Sequence, residues 1–170
     1  MAKTPRKCLA HYVDAAFDAS YEATDYQLIG ADLTTFNVAL NPQIDTTTNI
    51  LGQTSVIHRG YQPTSAVDTF YHDAKKALEA KIIELAMSRK FDGDACKTSY
   101  VEVLYQEGET EDAEPTPIRA YREDIVCAIT NYGGDTSGVQ SPFDIHYAGN
   151  RVKGTFDRKT KKFTADDNGL

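Results

Sequence analysis

DAKKALEAKIIELAMSRK, residues 73–90, is the stretch that sets the architecture. Leu78, Ile82, Leu85 and Ala86 recur at helical spacing, with Ala74 one turn earlier. That stripe buries one face of an amphipathic helix. Lys75, Lys76, Glu79 and Lys90 fall on the other face. Ala and Leu favour helix, and neither Gly nor Pro interrupts the run. Asp73 suits the N-terminus, where a carboxylate accepts free N–H groups. Arg89 and Lys90 suit the C-terminus, and Phe91-Asp92-Gly93-Asp94 closes the segment. Most of what surrounds this helix reads as strand and turn, so the helix covers a sheet.

Working outward, short strands are predicted over residues 9–12, 26–29, 33–40, 54–59, 98–106, 118–130, 143–147, 152–156 and 162–164. In 33–40, Phe36, Val38 and Leu40 share one face. In 98–106, Val101, Val103 and Tyr105 oppose Tyr100, Glu102 and Leu104. In 118–130, Ile125, Cys127 and Ile129 oppose Val126, Ala128 and Thr130, with both faces apolar enough to be covered. Residues 14–25, 107–117 and 133–138 read as loops. Residues 41–63 are Thr-rich yet hold Ile44, Ile50, Leu51, Val56 and Ile57, too apolar for a linker. A long excursion of this kind is functional or disordered; this one reads as a protruding hairpin arm that packs on something else. The fold class is therefore mainly β (α+β): two packed antiparallel sheets, as a sandwich or half-barrel, flanked by one helix at 73–90, with an arm at 41–63, all in a single domain spanning 1–170.

Composition narrows the function. No apolar run reaches the ~20 residues that span a bilayer. The basic start lacks a secretory apolar segment, so folding in a cytoplasm is expected. Cys8, Cys96 and Cys127 are odd in number and far apart, without a CxxC pair, and read as packed thiols. The net charge is −7, which argues against stable nucleic-acid binding. Its distribution is uneven. No Lys or Arg occurs between Cys8 and His58, where Asp14, Asp18, Glu22, Asp25, Asp32 and Asp45 lie. Glu107, Glu109, Glu111, Asp112 and Glu114 form a second acidic run, and cations collect on the helix and over residues 151–162. Solvated faces are the plain reading, and complementary surfaces the sharper one.

Catalytic patterns are weak throughout. Residues 133–138 are Gly-rich but lack the Gly-Lys-Ser/Thr ending of a phosphate loop. Asp92-Gly93-Asp94 lacks the regular ligands and closing Glu of a calcium loop. His11, His58, His72 and His146 are scattered, and there is neither a G-x-S-x-G elbow nor an H-E-x-x-H helix. No catalytic, cofactor or metal residue is assigned, and an enzyme is not expected. Ten tyrosines and no tryptophan suit half-wet contacts between proteins. The predicted 33–40 strand carries no charge or internal Pro to guard its edge against pairing.

NPQID at 41–45, NILGQTS at 49–55 and GYQP at 60–63 together resemble the central stretch of long-tailed bacteriophage major tail proteins, the tail tube subunits. YQLIG at 26–30, AYRED at 120–124, YGGDT at 132–136 and the run from Gly149 through Gly154-Thr155 to Phe163-Thr164 follow the same order. The likeness rests on order and spacing over most of the chain rather than on one motif. It implies two sheets and a helix in each subunit, and homo-hexameric rings stacked into a hollow tube. It further implies a tape measure protein and terminator or baseplate proteins as partners, DNA passing without specific binding, no membrane, and location in the virion after assembly in host cytoplasm. The arm positions that match the family's inter-subunit contacts are Asn41, Ile44, Asn49, Ile50, Leu51, Val56, Ile57 and Tyr61. The lumen-facing candidates are Thr35, Asn37 and Glu102, on the reasoning that acids and small neutral side chains repel phosphate. Acidic and basic surfaces meeting between rings would make assembly salt-sensitive. A related ring component (terminator, baseplate hub, or the tube of a contractile or secretion machine), a β-sandwich ligand- or carbohydrate-binding module and a small hydrolase stay open at this point.

Overall fold

The computed structural model describes residues 3–18, 25–106 and 116–166. After a 3₁₀ turn at Arg6–Cys8 come β1 (Leu9–Asp14), β2 (Tyr26–Ile29), β3 (Pro42–Thr48), β4 (Thr54–Tyr61), β5 (Thr64–Val67), α1 (Ala77–Ser88) and β6 (Lys97–Gln106). They are followed by β7 (Thr116–Ile129), β8 (Gly133–Asp135), β9 (Gly138–Gln140), β10 (Phe143–Tyr147), β11 (Val152–Asp157) and β12 (Lys162–Ala165). The fold is mainly β with one helix. The acidic run at 107–115 and residues 19–24 lie outside the described residues.

The 14-residue β7 is the spine. One of its edges pairs antiparallel with β6 from Lys97↔Val126 to Gln106↔Thr116. The other edge is divided. Its first half pairs with β11 through Gly154↔Ala120, and its second half pairs with β10 through Phe143↔Ile129. β12 extends the first branch and β5 the second, while β1 and β2 extend the far side of β6. The two layers expected from the sequence are thus branches of one eight-stranded sheet, curled into a half-barrel.

The pleat feeds two cores on opposite faces of this sheet. Val13, Ile29, Tyr100, Ile125, Cys127, Phe143 and Ile145 face α1, which contributes Leu78 and Ile82. On the other face Tyr12, Tyr26, Val101, Val103, Tyr105, Ala120, Phe156 and Phe163 pack together. The second cluster measures the curl. In a flat sheet β1 and β11, three strand spacings apart, would be separated by about 14 Å. Instead the rings of Tyr12 and Phe156 lie 4.6 Å apart, and Tyr26 meets Phe156 edge-on at 5.8 Å. Gly154 permits the close approach of the last two strands, because a Cβ there would strike the Thr164 carbonyl and the Phe163 ring.

Several local expectations change. The helix runs from Ala77 to Ser88, shorter than 73–90. Its stripe Leu78, Ile82, Leu85 and Ala86 is buried as predicted. Asp73 does not cap it; its Oδ1 accepts the Lys75 N–H in a preceding turn. The cap comes from β2, where Gln27 Oε1 accepts the Leu78 N–H at 3.1 Å. Arg89 ends the helix in the left-handed conformation, before the Phe91–Asp94 turn. Residues 33–40 are not a strand. Phe36 and Val38 pack inward against the helix-side core, but the Phe36 carbonyl bonds to Arg6 and only an Ala39–Thr64 bridge joins the sheet. Gly60 lies inside β4 rather than ending a strand. Residues 133–140 form the hairpin β8–β9 rather than a loop. On β7 the second face is covered at Ala120 and Arg122 but opens towards the end of the strand, where Val126 is 44% exposed while Ile125 and Cys127 are fully buried. All three cysteines are buried and unbridged. No helix among the described residues is long and apolar enough to cross a membrane.

Candidate inter-subunit surface

β3 and β4 pair with each other and with no other strand, from Pro42↔Tyr61 to Thr48↔Thr54. They form the predicted arm. Every residue of β3 is exposed, and every residue of β4 except the half-exposed Gly60. Thr and β-branched residues favour the extended backbone here without any core to bury. Arg59 is the extra residue of a bulge, opposed by none on β3. Bulges bend a ribbon and strengthen its twist. At the base, Asn41 takes a left-handed turn with φ 46°. Its side-chain amide donates to the Gln62 carbonyl at 3.0 Å and to Thr64 Oγ1 at 3.1 Å. Asn41 thus clamps the base of the arm while remaining exposed itself.

The tip is tightly built. Asn49 Oδ1 accepts the N–H groups of Leu51 and Gln53 at 2.9 and 3.0 Å. The Asn49 amide donates to Gln53 Oε1 at 2.8 Å. These bonds hold out Ile50 and Leu51, which are 103% and 77% exposed. Side-chain alternation then divides the ribbon. One face carries Ile44, Val56 and Tyr61, with His58 edge-on to Tyr61 at 4.7 Å. The opposite face carries Ile57 and an Asp45–Arg59 ion pair. Seven of the eight residues proposed from the sequence for contact lie along this exposed ribbon and its tip, and Asn41, also exposed, lies at its base. They span both faces and the tip.

No protein-family model matches the chain, and no curated protein matches it. What the arm can do therefore rests on its own chemistry.

The lumen candidates separate. Thr35 and Asn37 are exposed and line a shallow cavity of about 400 Å³ at the base of the arm, with Asp68, Asp144 and His146. Glu102 lies elsewhere, in a polar chain along the helix-side face of the sheet. Arg6 donates to His11 Nε2 at 3.0 Å, and His11 Nδ1 bonds the Tyr100 hydroxyl. Tyr100 in turn donates to Glu102 Oε2 at 3.2 Å. Arg151 bridges Glu102 at 2.7 Å and Glu123 at 2.8 Å, and stacks on the Tyr121 ring at 4.6 Å. The Arg6 donor fixes His11 as the neutral tautomer protonated on Nδ1. Burial holds His11 down to about 4, partly offset by the Glu102 charge. Burial likewise pushes the Tyr100 hydroxyl well up. Glu102 is thus tied to a cation within the same chain. The neighbouring Val101, Val103 and Tyr105 are buried in the opposite core.

Charge is also segregated in space. Asp14, Asp18 and Asp25 gather where β1 leads towards β2. Lys153, Arg158, Lys159, Lys161 and Lys162 lie on the β11–β12 hairpin, where Arg158 and Lys161 sit over the rings of Tyr105 and Tyr12.

An apolar groove of about 600 Å³ lies between the end of α1 and the end of β7. Phe91 and Tyr132 belong to different turns and Val126 to a strand, so no periodic pattern joins them.

Proposed function

We propose that this chain is a structural subunit without catalytic activity, which self-assembles into stacked hexameric rings forming the hollow tail tube of a long-tailed bacteriophage. The observation that carries this reading is the arm. A ribbon exposed on both faces, with apolar side chains on each and two more at its tip, stabilises nothing within its own subunit. Exposed apolar surface of this kind marks an interaction site. Its strands also lack the lysines and internal prolines that keep edges from pairing. The curled half-barrel fits a ring whose subunits close around a channel. Ring order, tape measure and terminator or baseplate partners, virion location and non-specific passage of DNA follow from the family resemblance.

Negative-stain microscopy of concentrated protein tests the proposal. Six-fold annuli or tubes are expected. Removing residues 43–53 is expected to leave a folded subunit that no longer stacks. A native chain that remains monomeric at every concentration, or an armless variant that still forms long tubes, would refute the assignment.

A further inference from the structure

Among the described residues, exposed apolar side chains gather on the arm and in the groove beside α1, and the two shapes are opposite. The arm is convex and ends in Ile50 and Leu51. The groove beside α1 is concave. Leu85 and Ala86 of the helix stripe floor it; Phe91, Val126, Ile129 and Tyr132 wall it. Phe91 is 86% and Tyr132 46% exposed. Arg89 and Lys90 stand among its lining residues, which include no Asp or Glu. No arm residue lines the groove. Its volume falls within the range that receives compact apolar ligands.

We infer that the groove between the end of α1 and the end of β7 receives the Ile50–Leu51 tip of a second copy of this chain. The tip and the groove complement each other. Between Asp45 and Arg59, which pair with each other, the arm carries no formally charged residue apart from the titratable His58. Its tip therefore brings no charge of its own into the groove, and the lining cations Arg89 and Lys90 are exposed. The tip's hydrogen bonds from Asn49 already fix its turn, so little further order is lost on docking. The two strands add 7 and 8 residues flanking the tip. With the turn they approach the roughly 20–30 residues a side used by a specific interface. Prong and groove are different patches, so the contact is heterologous unless two copies exchange prongs reciprocally. A heterologous contact leaves a free prong on one copy and a free groove on the other, and it propagates into rings or filaments. This inference rests on the proposed reading of the arm as an intermolecular element and names the arm's receptor.

A photo-crosslinking residue at position 51 of the full chain, activated in concentrated protein, tests it. Mass spectrometry is expected to find inter-copy links within residues 85–91 or 126–132. Val126→Lys, at an exposed position that lines the same groove as Arg89 and Lys90, is expected to lower that yield about tenfold or more while leaving circular dichroism unchanged. A second measurement uses complementation. Leu51→Lys and Val126→Lys copies should each lose arm-borne association in sedimentation. Mixed in equal amounts they should recover two-copy species, since one supplies an intact groove and the other an intact arm. Inter-copy links that map elsewhere, or a mixture that sediments like the separate variants, would overturn the groove assignment and leave the assembly reading standing. Failure of the native chain to associate or link between copies at all would overturn both.

Discussion

Asp14→Asn should make the protein more stable at neutral pH and more sensitive to acid. Asp14 is fully buried at the end of β1. Its Oδ1 accepts the Ala16 N–H at 3.0 Å, and its Oδ2 is buried without a hydrogen-bond donor. Burial, reinforced by the Asp18 and Asp25 charges, pushes its carboxyl from 3.8 up to about 6. The native state thus holds this proton more tightly than the unfolded chain does. Stability from this group is greatest below 3.8 and is lost as pH rises through about 6. At pH 7 the ionised carboxylate therefore costs up to about 3 kcal/mol. Asparagine keeps the acceptor for Ala16 and carries no charge, so a gain of about 1–3 kcal/mol is expected at pH 7. His11 works in the opposite sense. Its native value of about 4 lies below the ordinary 6.5, so its contribution is complete above 6.5 and is lost as pH falls towards 4. That loss is also about 3 kcal/mol. In the native protein the two slopes oppose each other across the same interval. Removing Asp14 exposes the His11 slope. Glu123, raised by burial, contributes equally to both proteins and drops out of the difference. Urea unfolding at pH 7, 6, 5 and 4, followed by circular dichroism, measures both effects. Parallel pH profiles, or no gain at pH 7, would refute the reasoning.

Two further predictions concern the fold. Phe156→Ala should cost about 3–5 kcal/mol in urea unfolding, because the ring joins the two ends of the curled sheet through Tyr12 and Tyr26, whereas Phe156→Leu should cost less than about 1.5 kcal/mol. An alanine cost near zero would mean that β11 does not lie over β1. Gln27→Ala should lower stability by about 1 kcal/mol by leaving the Leu78 N–H without its acceptor, while Gln27→Glu should be neutral or stabilising by about 0.3–1 kcal/mol through the positive helix end. Denaturant midpoints that are identical for all three side chains would remove Gln27 from the cap.

The parts legible in the sequence are those set by local spacing. The stripe Leu78–Ile82–Leu85–Ala86 specifies a buried helical face from its own periodicity. The arm shows because Thr-rich, β-branched segments with apolar insertions have no polar partner pattern to complete. The parts that escaped depend on contacts between distant residues. The helix start moved because its acceptor is Gln27, which no local capping rule can supply. Residues 33–40 have strand alternation, and Phe36 does point inward. Alternation, however, says which side chain is buried and not whether a neighbouring backbone offers a ladder. Here Arg6 takes the Phe36 carbonyl instead. The edge expected at 33–40 is therefore supplied by β3 and β4. The Gly-rich 133–138 segment looked like a loop because its glycines break propensity. In the fold they permit a tight hairpin, since a Cβ at Gly134, where φ is +147°, would strike the Gly138 carbonyl. Glu102 was legible as a strand carboxylate on one face, but its cation Arg151 is 49 residues away.

The arm also poses an energetic question that the isolated subunit does not answer. An isolated two-stranded hairpin is marginal in water, and each ordered residue costs about 1–2 kcal/mol of backbone entropy. Inside the subunit the ribbon recovers its own ladder, the Asn49 turn bonds, the Asn41 clamp and one exposed ion pair. An exposed ion pair contributes about 0–1 kcal/mol. None of these buries Ile44, Ile50, Leu51, Val56 or Tyr61, each at least 49% exposed. Full burial of such side chains is worth about 1.5–3 kcal/mol apiece. The largest stabilisation open to this segment therefore lies in contacts that the folded chain by itself does not make. If the arm docks as proposed, that burial is gained on a turn that Asn49 already holds, so most of it goes to association rather than to ordering the tip.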